Sequence, residues 1–162
     1  MSEATDNTMI LDTTKGEVVI EMRPDLAPAH CTHIKGLVRR GFYDGIVFHR
    51  VIAGFMAQTG DPTGTGTGGS GQRLRAEFSN EPHVRGTLSM ARTSDPNSAD
   101  SQFFIMFDAA PSLDRQYSVW GRVVSGMEFV DAIKKGDSAR NGMVADPDRI
   151  VRVQVAADAD PA

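Results

Sequence analysis

Short blocks of apolar residues, separated by glycine and polar turns, alternate along this chain in a way that predicts many strands and few helices. Thr8 to Thr14 and Glu17 to Arg23 are rich in β-branched residues and part at Lys15-Gly16, the pattern of a hairpin. Pro24 and Pro28 bracket a helix start. Ala29 to Arg40 then sets Cys31, Ile34, Leu37 and Val38 on one helical stripe that ends in Arg39-Arg40-Gly41. Val47 to Gln58 reads as two short strands broken at Ala53-Gly54, and Thr59 to Arg75 as a long glycine-rich loop. Strand-like runs follow at Gly86 to Ala91, Gln102 to Phe107 and Val119 to Val124. A second helix is expected over Gly126 to Lys135 and a last strand over Arg149 to Val155.

Seven or eight strands, two helices and no βαβ alternation predict a mainly β fold, an antiparallel barrel or sandwich. Periodicity does not separate the two. At 162 residues the chain reads as one domain, residues 1–162, with residues 1–7 and 156–162 as flexible tails.

Composition narrows the function. Hydrophobic residues make up 40% and charged residues 23%, and a net charge of -4 argues against a broad nucleic-acid face. Cys31 is the single cysteine, so there is neither an internal disulfide nor a cysteine-built zinc site. The first residues carry acids where a secretion signal would carry bases, and no apolar run approaches the ~20 residues of a membrane span. A cytoplasmic protein without membrane or nucleic-acid partners is expected.

Several motifs lack the context their chemistry needs. Gly64 to Gly69 matches G-x-G-x-x-G, but Ser70-Gly71-Gln72-Arg73 is a poor helix start and no lysine completes a P-loop. A nucleotide-binding protein built on this loop is the competing reading from another class. His30 and His33 lie one turn apart without a third ligand at a recognisable spacing, so two solvated histidines are expected rather than a metal site. Cys31 falls on the buried stripe. Ser101 lacks the nucleophile elbow a hydrolase would need.

Arg50 is the anomaly. It sits in the core-like run FHRVIAGFMAQTGD (residues 48–61), where an unpaired guanidinium must find an acid or face a wet pocket. That run and SQFFIMF (residues 101–107) both mix amide or guanidinium side chains with Phe and Met, a lining suited to an extended peptide. Ordinary core is the plain alternative for Phe55, Met56, Phe104 and Leu113.

These two runs, with the TGTGTGG loop, LSMAR, SLDRQYSVWG and RVVSGMEFVDAI, occur in the order found in the cyclophilin family of peptidyl-prolyl cis-trans isomerases, which the chain resembles from about Ile10 to Val155. The resemblance implies a closed eight-stranded antiparallel β-barrel capped by two α-helices, with a peptide groove outside. It places the catalytic arginine at Arg50, with His49 and Gln58 beside it. Phe55, Met56, Phe104 and Leu113 fall on the pocket for the proline ring, and Ala91, Arg92, Gln102 and Tyr117 on the rest of the substrate site. Arg92 stands where many members have asparagine, Tyr117 replaces a pocket histidine, and Ser112 replaces a tryptophan that helps grip cyclosporin. What is implied is a monomeric rotamase acting without cofactor or metal on proline-containing peptides and folding proteins, and binding cyclosporin weakly. A non-catalytic proline-peptide binding module on the same barrel is the alternative.

Overall fold

Thr13 Oγ1 accepts hydrogen bonds from the backbone N–H groups of Lys15 (3.0 Å) and Gly16 (3.1 Å), turning the chain between β1 (Thr8–Thr13) and β2 (Gly16–Met22). The two strands pair antiparallel from Thr8 opposite Glu21 to Thr13 opposite Gly16. The structure is a computed structural model that describes residues 6–158.

Helix α1 (Pro28–Arg39) follows β2. Pro28 presets its first turn, and Glu77 accepts from the first free backbone donors, Ala29 N–H (3.2 Å) and His30 N–H (2.9 Å). Its buried face is Cys31, Ile34, Leu37 and Val38, joined by His30. The expectation of two solvated histidines is therefore wrong. His30 is fully buried against the Glu77 carboxylate, and His33 Nε2 lies 3.2 Å from Asp100 Oδ1. A polar residue flanking the apolar stripe can go inside when an acid from elsewhere in the chain meets it.

Six further strands complete the sheet: β3 (Arg50–Ile52), β4 (Met56–Thr59), β5 (Thr87–Met90), β6 (Phe103–Met106), β7 (Val119–Ser125) and β8 (Ile150–Val155). Their order is β3-β4-β6-β5-β7-β2-β1-β8, all antiparallel. The sheet curls until its ends meet at the bridge Val47–Arg149, flanked by Phe48 N–H to Asp148 O (2.8 Å) and Ile150 N–H to Ile46 O (2.7 Å). The barrel's seam is thus a short stitch rather than a full ladder.

Helix α2 covers Met127–Asp131, shorter than the expected run to Lys135. Beyond its C-cap, Ala132, the chain turns away, and Gly136 N–H bonds to Val51 O (2.8 Å), drawing the next segment onto β3. Within the segment expected to fray, Ala156–Asp158 forms a 3-10 turn with Asp158 Oδ2 2.8 Å from Arg39 Nε. Residues 1–5 and 159–162 of the expected tails lie outside the described residues. Among the described residues no helix is long and apolar enough to cross a membrane.

Strand alternation divides the apolar residues into two clusters. Val51, Ala57, Phe103 and Ile105 point into the barrel with Leu11, Ile20, Phe48 and Trp120. Their neighbours Ile52, Met56, Phe104 and Met106 point outward and form a second cluster with Phe55, Ala91, Leu113 and Tyr117. The outer face of β3, β4 and β6 is therefore apolar without being barrel core.

Candidate active site

The pairing of β3 with β4 sets Arg50 opposite Gln58 and Ile52 opposite Met56, and β6 adds Phe104 opposite Gln58. Gly54, at φ 75°, turns the chain between β3 and β4 and brings Phe55 to the same face. Leu113 arrives on a 3-10 turn, Pro111–Leu113, and Tyr117 packs edge-on against Phe104 with ring centroids 5.7 Å apart.

Together these residues enclose a cleft of about 200 Å³. Phe55, Met56, Phe104, Leu113 and Tyr117 supply its apolar surface. Arg50, Gln58, Ala91 and Arg92 complete the lining, and among the described residues no carboxylate contributes. A larger cavity of about 620 Å³ adjoins it, sharing Gln58, Ala91 and Arg92 and adding Gln102, Arg73 and the glycine loop from Gly66 to Gly69.

Arg50 is held without an acid. Its Nε donates to Asn141 O (2.9 Å), one terminal nitrogen to Asn141 Oδ1 (3.2 Å) and the other to Gln58 Oε1 (3.1 Å). Burial lowers its pKa, with the Tyr117 phenol opposing, yet a guanidinium stays charged at neutral pH. The polar line continues: Gln58 Nε2 donates to Gln102 Oε1 (2.8 Å), and Gln102 Nε2 donates to the carbonyls of Gly66 and Gly68 (both 3.0 Å).

The glycine loop is fixed rather than loose. Buried Asp61 accepts from Thr63 N–H (2.8 Å), Thr63 Oγ1 (2.7 Å) and Gly66 N–H (2.6 Å). Burial works against its charge, but these bonds hold its pKa well below the usual carboxylate range. A Cβ at Gly68 would collide with the Asp61 carboxylate, so the loop closes this tightly only with glycine there. Asp100 clamps the far end through Ser70 Oγ and Gly71 N–H.

Of the residues the sequence nominated, Arg50, Gln58, Phe55, Met56, Ala91, Arg92, Phe104, Leu113 and Tyr117 meet in the cleft, and Gln102 lines the adjoining cavity. His49 is not brought there. It is 2% exposed, lines neither space, and has no hydrogen-bond partner at either ring nitrogen. Adjacent residues of a strand face opposite ways, which separates it from Arg50.

Two contributors escaped sequence reading. Asn141 reaches Arg50 because residues 136–144 lie along β3, with Val51 N–H bonded to Gly142 O (2.8 Å) and Val144 N–H to His49 O (3.1 Å). Arg140-Asn141-Gly142 carries a turn signal, but nothing local says what the turn meets. His83 lies behind the cleft, stacked on Phe104 with centroids 6.2 Å apart and bonded to Asp114 next to Leu113. Among the described residues no group of three or more His, Cys, Asp or Glu side chains is arranged to hold a metal.

The sequence pattern described as cyclophilin type peptidyl-prolyl cis-trans isomerase/CLD matches residues 8–155, nearly the whole chain. The chain belongs to this family. As a cyclophilin it is a peptidyl-prolyl cis-trans isomerase. It is 56% identical over 165 aligned positions to a probable peptidyl-prolyl cis-trans isomerase of Brucella suis, covering 94% of this chain and 84% of that one. It is 41% identical over 150 positions to a peptidyl-prolyl cis-trans isomerase of Synechococcus elongatus, covering 93% and 97%.

Solved structures share the cyclophilin fold. Cyclophilin AquaCyp293 from Hirschia baltica superposes with a TM-score of 0.86 at 33% identity, over 97% of this chain and 76% of that one. A Cryptosporidium parvum cyclophilin crystallised in the presence of the dipeptide Ala-Pro superposes with a TM-score of 0.84 at 30% identity, over 91% and 98%.

Proposed function

We propose that this cyclophilin speeds rotation about X-Pro bonds in peptides and folding proteins by non-covalent stabilisation of the twisted amide, with Arg50 as its catalytic residue. The observation that carries this reading is the Arg50 guanidinium at the edge of an apolar cleft, oriented by Asn141 and Gln58 and neutralised by no acid. The C. parvum relative, crystallised with Ala-Pro present, supports a prolyl ligand for the same fold.

An amide resists rotation with a barrier of about 18 to 20 kcal/mol because nitrogen shares its lone pair with the carbonyl. Prolyl bonds populate both isomers yet exchange only in tens to hundreds of seconds. Reaching milliseconds means lowering the barrier by about 7 kcal/mol, or roughly five decades in rate.

In the twisted state the prolyl nitrogen becomes pyramidal and its lone pair turns into an acceptor. Arg50 offers a charged donor there, in an apolar site where the interaction is strong. Because the lone pair is delocalised in both planar isomers, that bond forms only near the transition state and accelerates rotation instead of tightening substrate binding. Phe55, Met56, Phe104 and Leu113 hold the ring, while the acyl side turns. Gln58, fixed by Gln102, keeps the guanidinium aimed. His49 serves this machinery by packing beneath the sheet, not by moving a proton.

The test is refolding of a protein whose slow phase is set by prolyl isomerisation. The wild-type enzyme shortens that phase, and a folded Arg50→Ala variant does not. Equal acceleration by the two would overturn the reading.

A further inference from the structure

The cleft of this acidic chain is locally cationic. Among the described residues two guanidinium groups, Arg50 and Arg92, line it and no carboxylate does, although the protein carries a net charge of -4. Arg50, oriented by Asn141 and Gln58, is the group assigned to the prolyl amide itself. Arg92 stands where the resemblance puts asparagine in many relatives.

Arg92 is anchored by neutral groups alone. Its Nε and one terminal nitrogen donate to Gln116 O (3.0 and 2.7 Å), the other terminal nitrogen donates to Thr93 O (2.9 Å), and its Cζ sits 4.6 Å from the centroid of the Tyr117 ring. These contacts pin the planar fork but leave an N–H unused on each terminal nitrogen and leave the charge uncancelled. The nearby acids are engaged elsewhere. Asp100 lines the adjoining cavity with Arg92, but its oxygens meet Ser70, Gly71 and His33 and not Arg92, and Asp95 Oδ2 lies 3.7 Å from Arg73.

Arg92 also lines both the proline cleft and the adjoining cavity. Arg92 and Phe104 pack on the same Tyr117 ring, at 4.6 and 5.7 Å from its centroid, so a substrate with its proline ring against Phe104 brings neighbouring side chains close to Arg92. Resting on the reading of the cleft given above, we infer that Arg92 is a specificity-determining residue that selects X-Pro substrates carrying an anionic side chain close to the proline. The shared chemistry is a carboxylate or phosphate oxygen meeting a pre-oriented guanidinium. Uncompensated charge on a half-buried, partly solvated guanidinium both attracts such a group and disfavours a cationic one.

The test uses two peptide series, with Glu, phosphoserine, Gln or Lys placed either two positions before the proline or directly after it. For the wild-type enzyme the kcat/KM ratio of Glu over Lys should reach about fivefold in one series, the effect of a partly solvated charge pair, and shrink as salt is added. The phosphoserine arm separates phosphate from carboxylate as the preferred group. Arg92→Gln should bring the ratio to near one, and Arg92→Lys, which keeps the charge, should retain a preference for Glu. A purely bracing role for Arg92 would lower all rates together and leave the ratio intact. Ratios near one in both series for the wild-type enzyme, or an unchanged ratio in Arg92→Gln, overturn the inference. Undiminished turnover by Arg50→Ala would instead overturn the catalytic reading.

Discussion

Arg50 and Gln58 face each other across the β3–β4 ladder, with a guanidinium nitrogen 3.1 Å from the amide oxygen. The arginine is thereby held by dipoles that orient it, not by an anion that would consume its charge. The whole line from Asn141 to the Gly66 and Gly68 carbonyls serves this one orientation.

Asn141 is the test of that line most remote in sequence. Its φ of 57° is left-handed, so Asn141→Gly keeps the turn and the backbone acceptor while deleting Oδ1. Losing about 1 kcal/mol of orienting hydrogen bond should lower kcat about fivefold with little change in thermal stability. Steady-state kinetics beside a melting curve check both halves.

Phe103 and Phe104 are neighbours with opposite duties. Phe103 points inward, its ring 5.3 Å from Trp120 and 5.6 Å from Tyr43, so Phe103→Ala should cost about 3 to 5 kcal/mol of stability. Phe104 lines the cleft, so Phe104→Leu should cost less stability and raise KM for prolyl peptides. Urea unfolding and peptide kinetics on the pair give a crossed pattern if the two faces are assigned correctly.

Acid should weaken the fold through its buried histidines. Burial lowers the pKa of His49, with Asp61 opposing and Arg50 reinforcing, and burial likewise lowers His30 and His83 against the pull of Glu77 and Asp114. The unfolded chain therefore takes up protons first as pH falls. The stabilisation is full above the ordinary histidine range and is lost progressively as pH falls from about 6.5 towards the lowered folded-state values, at a limiting slope of about 1.4 kcal/mol per pH unit for each group. His49→Leu should flatten the pH dependence of urea unfolding between neutral and mildly acid pH. An unchanged slope would remove His49 from the explanation.

Cyclosporin should inhibit weakly. Ser112 lies exposed on the turn that carries Leu113, where the resemblance places a gripping tryptophan. Ser112→Trp adds apolar surface at the cleft's edge and should lower the inhibitory concentration about tenfold. Tight inhibition of the unsubstituted enzyme would contradict this.

How much of this was legible in the chain follows the range of the forces involved. The hairpin around Lys15-Gly16 is local and could be read directly, whereas Phe103, Phe104, Ile105 and Met106 are all apolar, so which of them face the cleft is not visible in the strand itself. The cleft was legible because its residues cluster in short runs that also carry the family resemblance. His30 could not be placed, because its burial depends on Glu77, distant in sequence. Asn141 was hidden for the same reason: it meets Arg50 only after the segment behind α2 pairs with β3. The glycine loop reads from composition only as a long loop, because its clamps are made in the folded chain, where Asp61 and Asp100 meet its two ends.

The most direct measurement is kcat and KM determined separately for Arg50→Ala on a prolyl peptide, with the melting temperature confirming a folded variant. If the guanidinium acts on the twisted amide alone, kcat falls about 100- to 1,000-fold while KM stays within about threefold. A folded Arg50→Ala variant with kcat close to wild type would show that the rotation is accelerated by something other than Arg50.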